Sequence, residues 1–319
     1  MGRRKKFSLR KSLGVFGMYP LFRLWTIWVK HVPLKSLSAY GEKLGTIAFH
    51  LLRMARKTAL NNLHLALGRE KSKKEIEQIC RGSFKNIGKD MMETSRFFDY
   101  DDNHLRTLTR IDGKEHLDQA LRQGKGVIAL TAHLGNFPLM FYRLLEEGYP
   151  LSVVIKLSNN PNMVKSITAI VETTGIEFIP DKPRISCVAR CLNVLKENRI
   201  LMMQIDFNAP VTEAWVDFFG CLVPTYKGPV VFSFRTGAPI VPVFIVRNSS
   251  QLHQIVIHPP FDLNSTEDRQ RDITSNIARL TKIVEAVIRE HPEQWWWALR
   301  RFKRARDIKT GESLFPKRP

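Results

Sequence analysis

Two stretches hold the side chains best suited to chemistry. The first is Gly126-Val-Ile-Ala-Leu-Thr-Ala-His133-Leu-Gly135-Asn136-Phe-Pro138, an apolar run that ends in a histidine and is followed by a glycine and an asparagine. A buried strand leading into a helix start predicts His133 at the carboxyl end of that strand. Ligand crevices of open α/β sheets form at that edge, and an imidazole there can act as a general base. A structural histidine at a strand end would read the same way. The second stretch is Ile200 to Asp206, another apolar run, which ends in a carboxylate. Asp206 could approach His133 across one crevice, or it could simply cap a loop. Asn136 suits a helix N-cap and could also hydrogen-bond the imidazole. Lys156 closes a further apolar run and could place a cation at the same edge, to hold a phosphate or a developing oxyanion.

The elements that must position these residues alternate. Strands are predicted at 127–132, 151–155, 177–179, 200–205, 240–246 and 253–257. Helices are predicted at 139–147, 163–173, 187–196 and 273–290. Alternation of this kind argues for an α/β fold with a mixed, largely parallel sheet flanked by helices. Residues 12 to about 100 read as helical. Ser72-Lys-Lys-Glu75 is a capping box, and Ile76, Ile79, Cys80, Phe84, Ile87 and Met91 form an apolar stripe behind it. Two regions follow: a helical, membrane-associating part over 1–105, and an α/β core with a basic, aromatic end over 106–319.

Charge narrows the range of partners. Lys and Arg number 50 against 30 Asp and Glu, a net +20 that favours anionic surfaces. The excess gathers at the two ends: Arg3, Arg4, Lys5, Lys6, Arg10 and Lys11, then Arg300, Arg301, Lys303, Arg304 and Arg306. From 12 to 29 the chain is nearly all apolar, but Pro20 and Arg23 interrupt it. That pattern predicts a helix lying in or dipping into a membrane interface, with Trp25 and Trp28 at headgroup level, rather than a clean span; a buried core helix would read the same way. No Ala-x-Ala-like cleavage site follows it, and Lys6 stands where myristoylation needs Ser or Thr. The 4 cysteines have no histidine at zinc-ligand spacing and are expected to be reduced. Trp295, Trp296 and Trp297 beside basic residues could suggest a nucleic-acid patch, but no nucleic-acid motif accompanies them.

Taken in order, these motifs resemble the lipid A biosynthesis acyltransferases. The resemblance is carried by Gly113-Lys-Glu-His116-Leu, the His133 segment, Asp206-Phe-Asn-Ala209, Asp217-Phe-Phe-Gly220 and Thr236-Gly-Ala-Pro-Ile-Val-Pro242. His291-Pro-Glu-Gln-Trp-Trp-Trp297 and Arg300-Arg-Phe-Lys303 extend it, as does the segment from Arg56 to Leu67. It implies a glycerolipid-acyltransferase-like fold at the cytoplasmic face of the inner membrane. It also implies transfer of a fatty acyl chain from acyl carrier protein to a hydroxyl of an anionic glycolipid such as a lipid A precursor. His133 would be the base, with no cofactor, no metal and no nucleic acid. Arg300 and Arg301, with Lys156 and Asn136, would contact substrate, and the C-terminal basic run would dock the acidic carrier. In the family signature a carboxylate stands where this chain has Pro138. Asp206 is the candidate replacement, and a Pro138→Glu substitution is expected to raise activity modestly. The alternative implied by Pro138 is a non-catalytic lipid- or carrier-binding relative.

Overall fold

The computed structural model describes residues 25, 27–96, 102–156, 175–250 and 252–315. Most of the 12–29 run, the N-terminal basic arm and the helix expected at 163–173 lie outside them. Three helices come first: α1 (Leu37–Leu51), α2 (Arg53–Leu67) and α3 (Lys73–Thr94). The capping box starts α3 as expected, Glu75 N–H donating to Ser72 Oγ and Ser72 N–H to the Glu75 carboxylate. Helices α1 and α3 run antiparallel at backbone contact. A Cβ on Gly45 would lie 2.2 Å from the Phe84 carbonyl oxygen, and one on Gly88 2.2 Å from that of Gly41. Any larger residue would force the helices apart. Among the described residues, no helix is long and apolar enough to cross a membrane.

After α4 (Asp102–Leu108), the strands β1 (Thr109–Asp112), β2 (Val127–Thr131), β3 (Leu151–Ile155), β4 (Glu177–Pro180) and β5 (Ile200–Gln204) enter one sheet. With β8 (Ile240–Arg247) and β9 (His253–Ile257) its order is β1-β9-β8-β2-β5-β3-β4. Every pairing is parallel except β8 with β9. The sheet is therefore mixed and largely parallel, as the alternation predicted. All of β2 is buried, because helices cover both faces. Ile128 and Leu130 enter the core on one side and Val127 and Ala129 that on the other, following the two-residue strand period. Helices α5 (Lys114–Arg122) and α6 (Phe137–Glu146) contribute to one core. Helices α7 (Arg184–Lys196), α8 (Gly228–Thr236) and α9 (Arg269–Glu290) contribute to the other. The four cysteines are free.

Helices α5 and α8 are not expected from the patterning, and neither are two features of the strands. Short β1 is a four-residue edge strand with no clear alternation. The hairpin of β6 (Ala214–Phe218) and β7 (Cys221–Thr225) pairs with β10 (Arg306–Asp307) in a separate antiparallel sheet. Its turn places Phe219 (φ 53°) and Gly220 (φ 73°) in the left-handed region, the two-residue hairpin geometry. Phe219 is held there because its N–H donates to Glu285 at 2.8 Å and its ring lies under the Arg289 guanidinium.

Candidate active site

Strand register builds the site. Strands β2 and β5 are parallel neighbours with Thr131 opposite Gln204. His133 and Asp206 each lie two residues further on, so both chains leave the sheet side by side at its carboxyl edge. One Asp206 oxygen, Oδ2, accepts the His133 backbone N–H at 2.7 Å and the Trp295 indole N–H at 2.8 Å. The other, Oδ1, lies 2.9 Å from His133 Nδ1. Among the described residues His133 Nε2 has no hydrogen-bond partner, and the side chain keeps 17% exposure while the Asp206 side chain has none. Burial on its own would raise the Asp206 carboxyl. The charge of His133 and the three hydrogen bonds outweigh it and hold the group below its usual range. With that oxygen ionised, the neutral form of the ring carries its proton on Nδ1, and its lone pair is then on Nε2.

The loop carrying His133 is clamped along its length. Gly135 N–H donates to Gln294 O, and Trp296 N–H donates to His133 O. Gly135 sits at φ 55°, and a Cβ there would lie 2.4 Å from the Ile245 carbonyl oxygen. Phe137, Phe207 and Trp296 surround the imidazole, with ring centroids 5.3, 5.9 and 6.1 Å from it. Pro138 occupies the first turn of α6, where a missing N–H costs nothing.

Asn136 caps α6 as expected, its Oδ1 accepting Leu139 N–H and the Thr94 hydroxyl. Its Nδ2 donates to Glu93 at 3.1 Å. It is fully buried, so no atom of it is open to a substrate, and its polar atoms are bonded away from the imidazole. Glu93 in turn accepts Arg247 and His253 Nε2, and Arg247 also reaches Asp90. Burial works to raise Glu93, but His253 and Arg247 overcome it and bring the carboxyl down to about 2. Burial dominates at Asp90 and pushes it up to about 6 against the pull of Arg247. This buried network was not legible in the sequence, where α3 read only as an apolar stripe. Its sole trace is the pair Asp90 and Glu93, three residues apart near the end of that stripe.

The basic candidates separate. Lys156 is exposed at the end of β3, its Nζ 5.7 Å from the centre of the Phe207 ring, which places it on the His133 crevice. Arg300 is exposed. Arg301 has no exposed surface; its guanidinium donates to Phe207 O at 3.0 Å, Pro224 O at 2.6 Å and Thr225 Oγ1 at 2.5 Å. Burial lowers Arg301 to about 10, still charged at neutral pH, so it acts as an internal brace for the backbone beside Asp206. Trp295 and Trp297 are likewise buried, and Trp296 is the one of the three that reaches the crevice.

A histidine–aspartate dyad at the carboxyl edge of a mixed sheet has the geometry that base-assisted group transfer requires. Across residues 4–304 the chain matches the family model described as bacterial lipid A biosynthesis acyltransferase, and it belongs to that family. It is similar to the lipid A biosynthesis palmitoleoyltransferase of Escherichia coli K12, with 26% identity over 88% of each chain. The lauroyltransferase of that organism is 23% identical over 88% of this chain and 92% of its own. A phosphatidylinositol mannoside acyltransferase of Mycolicibacterium smegmatis is 22% identical over 69% of this chain and 70% of its own. The 1-acyl-sn-glycerophosphate acyltransferase PlsC of Thermotoga maritima aligns over 80% of this chain and 94% of its own. Its TM-score of 0.35 and identity of 12% are too low to assign anything.

Proposed function

We propose that the protein transfers a fatty acyl chain from acyl carrier protein to a hydroxyl of a lipid A precursor or related glycolipid, at the cytoplasmic face of the inner membrane. The observation that carries this reading is the Asp206–His133 pair, with Nδ1 fixed by a buried carboxylate and Nε2 free. The acceptor hydroxyl gives its proton to Nε2 as its oxygen attacks the thioester carbonyl carbon. A C–O bond forms and the carbonyl electrons move onto oxygen. Collapse of that tetrahedral species breaks the C–S bond, and the departing sulfur takes the proton back from the imidazolium. Asp206 stabilises the imidazolium between these steps, as the orienting acid does in a serine-protease triad. Asp206 thus supplies what the carboxylate missing at Pro138 would otherwise provide. Lys156, at the crevice mouth, suits an acceptor phosphate as a point charge. The relatives' names support a glycolipid acceptor.

The test is direct. Purified protein is incubated with acyl-carrier thioesters of several chain lengths and a lipid A precursor in detergent, and the lipid is weighed by mass spectrometry. A mass gain of one acyl group is expected, absent in His133→Ala. A wild type that binds the lipid but acylates it with none of the donors would instead establish a non-catalytic relative.

A further inference from the structure

Helix α1 carries two faces that both look apolar, and α3 covers one of them. Leu37, Gly41, Gly45 and Phe49 are the buried side. Tyr40, Ile47 and Leu51 stand on the other at helical spacing, and Ile47 and Leu51 are 52% and 72% exposed. The chain turns directly into α2 with Leu52 and Met54 also exposed, Met54 at 77%. At the opposite end Trp28 packs edge-on against Tyr40, with centroids 6.0 Å apart, and against Trp25 at 5.6 Å. Isolated exposed hydrophobics are ordinary, but a continuous stripe is not.

The charges around the stripe are nearly all of one sign. From residue 27 to residue 57 there are six Lys and Arg and a single acid. That acid, Glu42, is already paired with Lys85 and Lys89 on α3. Lys43 lies on the stripe itself, its Nζ 5.7 Å from the centre of the Tyr40 ring. Apolar side chains at the centre, aromatic rings at one end and cations throughout match the layered chemistry of an anionic lipid monolayer. The same charges argue against the other occupants. A second copy would set equal positive faces against each other. Residues 1–24 hold seven Lys and Arg and no acid, so they too would be repelled.

We propose that the outer face of α1 and the α1–α2 corner form a docking surface for an anionic lipid monolayer, which extends beyond the apolar run at 12–29 and shares its Trp25 and Trp28 as an aromatic end. Its position suits the reaction. The Tyr40 end of α1 lies by the C-terminal end of α3, and Thr94 there bonds Asn136 in the His133 loop. Ser95 accepts from Trp25, and Arg96 donates to Val29 O and Val32 O. The surface thus begins beside the site and extends away along α1, so an acceptor lipid reaches His133 while its chains stay in the monolayer. Only this last step rests on the proposed acyl transfer; the docking itself does not.

The test uses full-length protein with Cys187→Ser, which removes the one cysteine that is not buried. A polarity-sensitive fluorophore is placed on Leu51→Cys or, as a control, on Gln123→Cys, just before β2 at the sheet edge opposite His133. Vesicles of phosphatidylcholine with or without phosphatidylglycerol are added, some carrying a spin label near the headgroup. The expected result is blue-shifted, quenched emission at position 51, dependent on phosphatidylglycerol, with no change at position 123. Protein that sediments with vesicles while the position-51 label stays unchanged overturns the proposal, because another surface then holds the membrane. A shift that needs no anionic lipid overturns it, and so does one that appears without vesicles and grows with protein concentration, which would mark self-association. A Leu51→Glu/Met54→Glu variant should bind anionic vesicles at least ten-fold more weakly. Its melting temperature, and its turnover of detergent-dispersed acceptor, should be unchanged. None of these binding readouts involves acyl transfer, so docking and catalysis fail separately.

Discussion

Replacing Asp206 with Asn exchanges one carboxylate oxygen for an NH2 group and reverses the logic of the imidazole. In the wild type Oδ2 accepts two fixed donors, the His133 backbone N–H and the Trp295 indole N–H. An asparagine has one carbonyl oxygen and one NH2 to divide between those donors and the ring. Turning the NH2 toward the two donors strands both in a buried site, at about 1–3 kcal/mol each. The carbonyl will therefore take the Oδ2 position and the NH2 will face Nδ1, which must then accept. The ring proton moves to Nε2, and the base is lost while the fold stays nearly intact. The same tautomer inversion costs about 10⁴ in rate in serine-protease triads, equivalent to about 5 kcal/mol of barrier. We expect a loss of that order in single-turnover acyl transfer, with lipid binding retained. A variant within ten-fold of the wild type would mean that Asp206 does not set the tautomer, and the mechanism would fail.

Further expectations follow from the same geometry. His133→Ala should lower turnover by about 10²–10⁴ with little change in melting temperature, because the side chain is partly open to the crevice; unchanged turnover would remove His133 from the chemistry. Pro138→Glu, from which the sequence reading expects a modest gain, should now leave the rate flat, because Nδ1 is already bound by Asp206; a clear rise would show the dyad to be under-supported. Glu93 sits below its usual carboxyl value, so its stabilisation is complete above about pH 4.5 and is lost as pH falls toward about 2. Glu93→Gln should remove that acid-side slope and cost about 3–5 kcal/mol at neutral pH, as expected when one partner of a buried pair is deleted. Asp90 is raised instead, so its contribution is present below about pH 3.8 and is lost as pH rises through about 6. Asp90→Asn should therefore flatten the melting-temperature profile between those values, and a profile unaltered by either change would refute the assignment. Arg301→Gln should lower thermal stability sharply, whereas Arg300→Gln should leave it unchanged and weaken only salt-sensitive carrier binding; equal effects would contradict their burial.

The sequence by itself determined the periodic and the local. Buried strands read as continuous apolar runs, the capping box announced α3, and Asn136 announced α6. Ordered motifs identified the family, and His133 and Asp206 each stood out at the end of a strand. Each single motif and element signal is local in the chain, so composition and spacing can carry it, and the family shows in the order of those local motifs. What joins residues far apart was decided only by the tertiary structure. Asp206 meets His133 because β2 pairs with β5 at one register, and a shift of one residue would send the carboxylate to the other side of the sheet. Nothing in either segment specifies that register; it comes from packing both faces of the sheet at once. The same holds for Arg301, which sits in a basic run that reads as surface. Folding turns that segment inward, since Trp295, Trp297 and Phe302 must be buried and the chain between them has to follow. Arg247, Glu93 and Asn136 likewise come from three distant segments, and their charges are tolerable in the core only because they meet there.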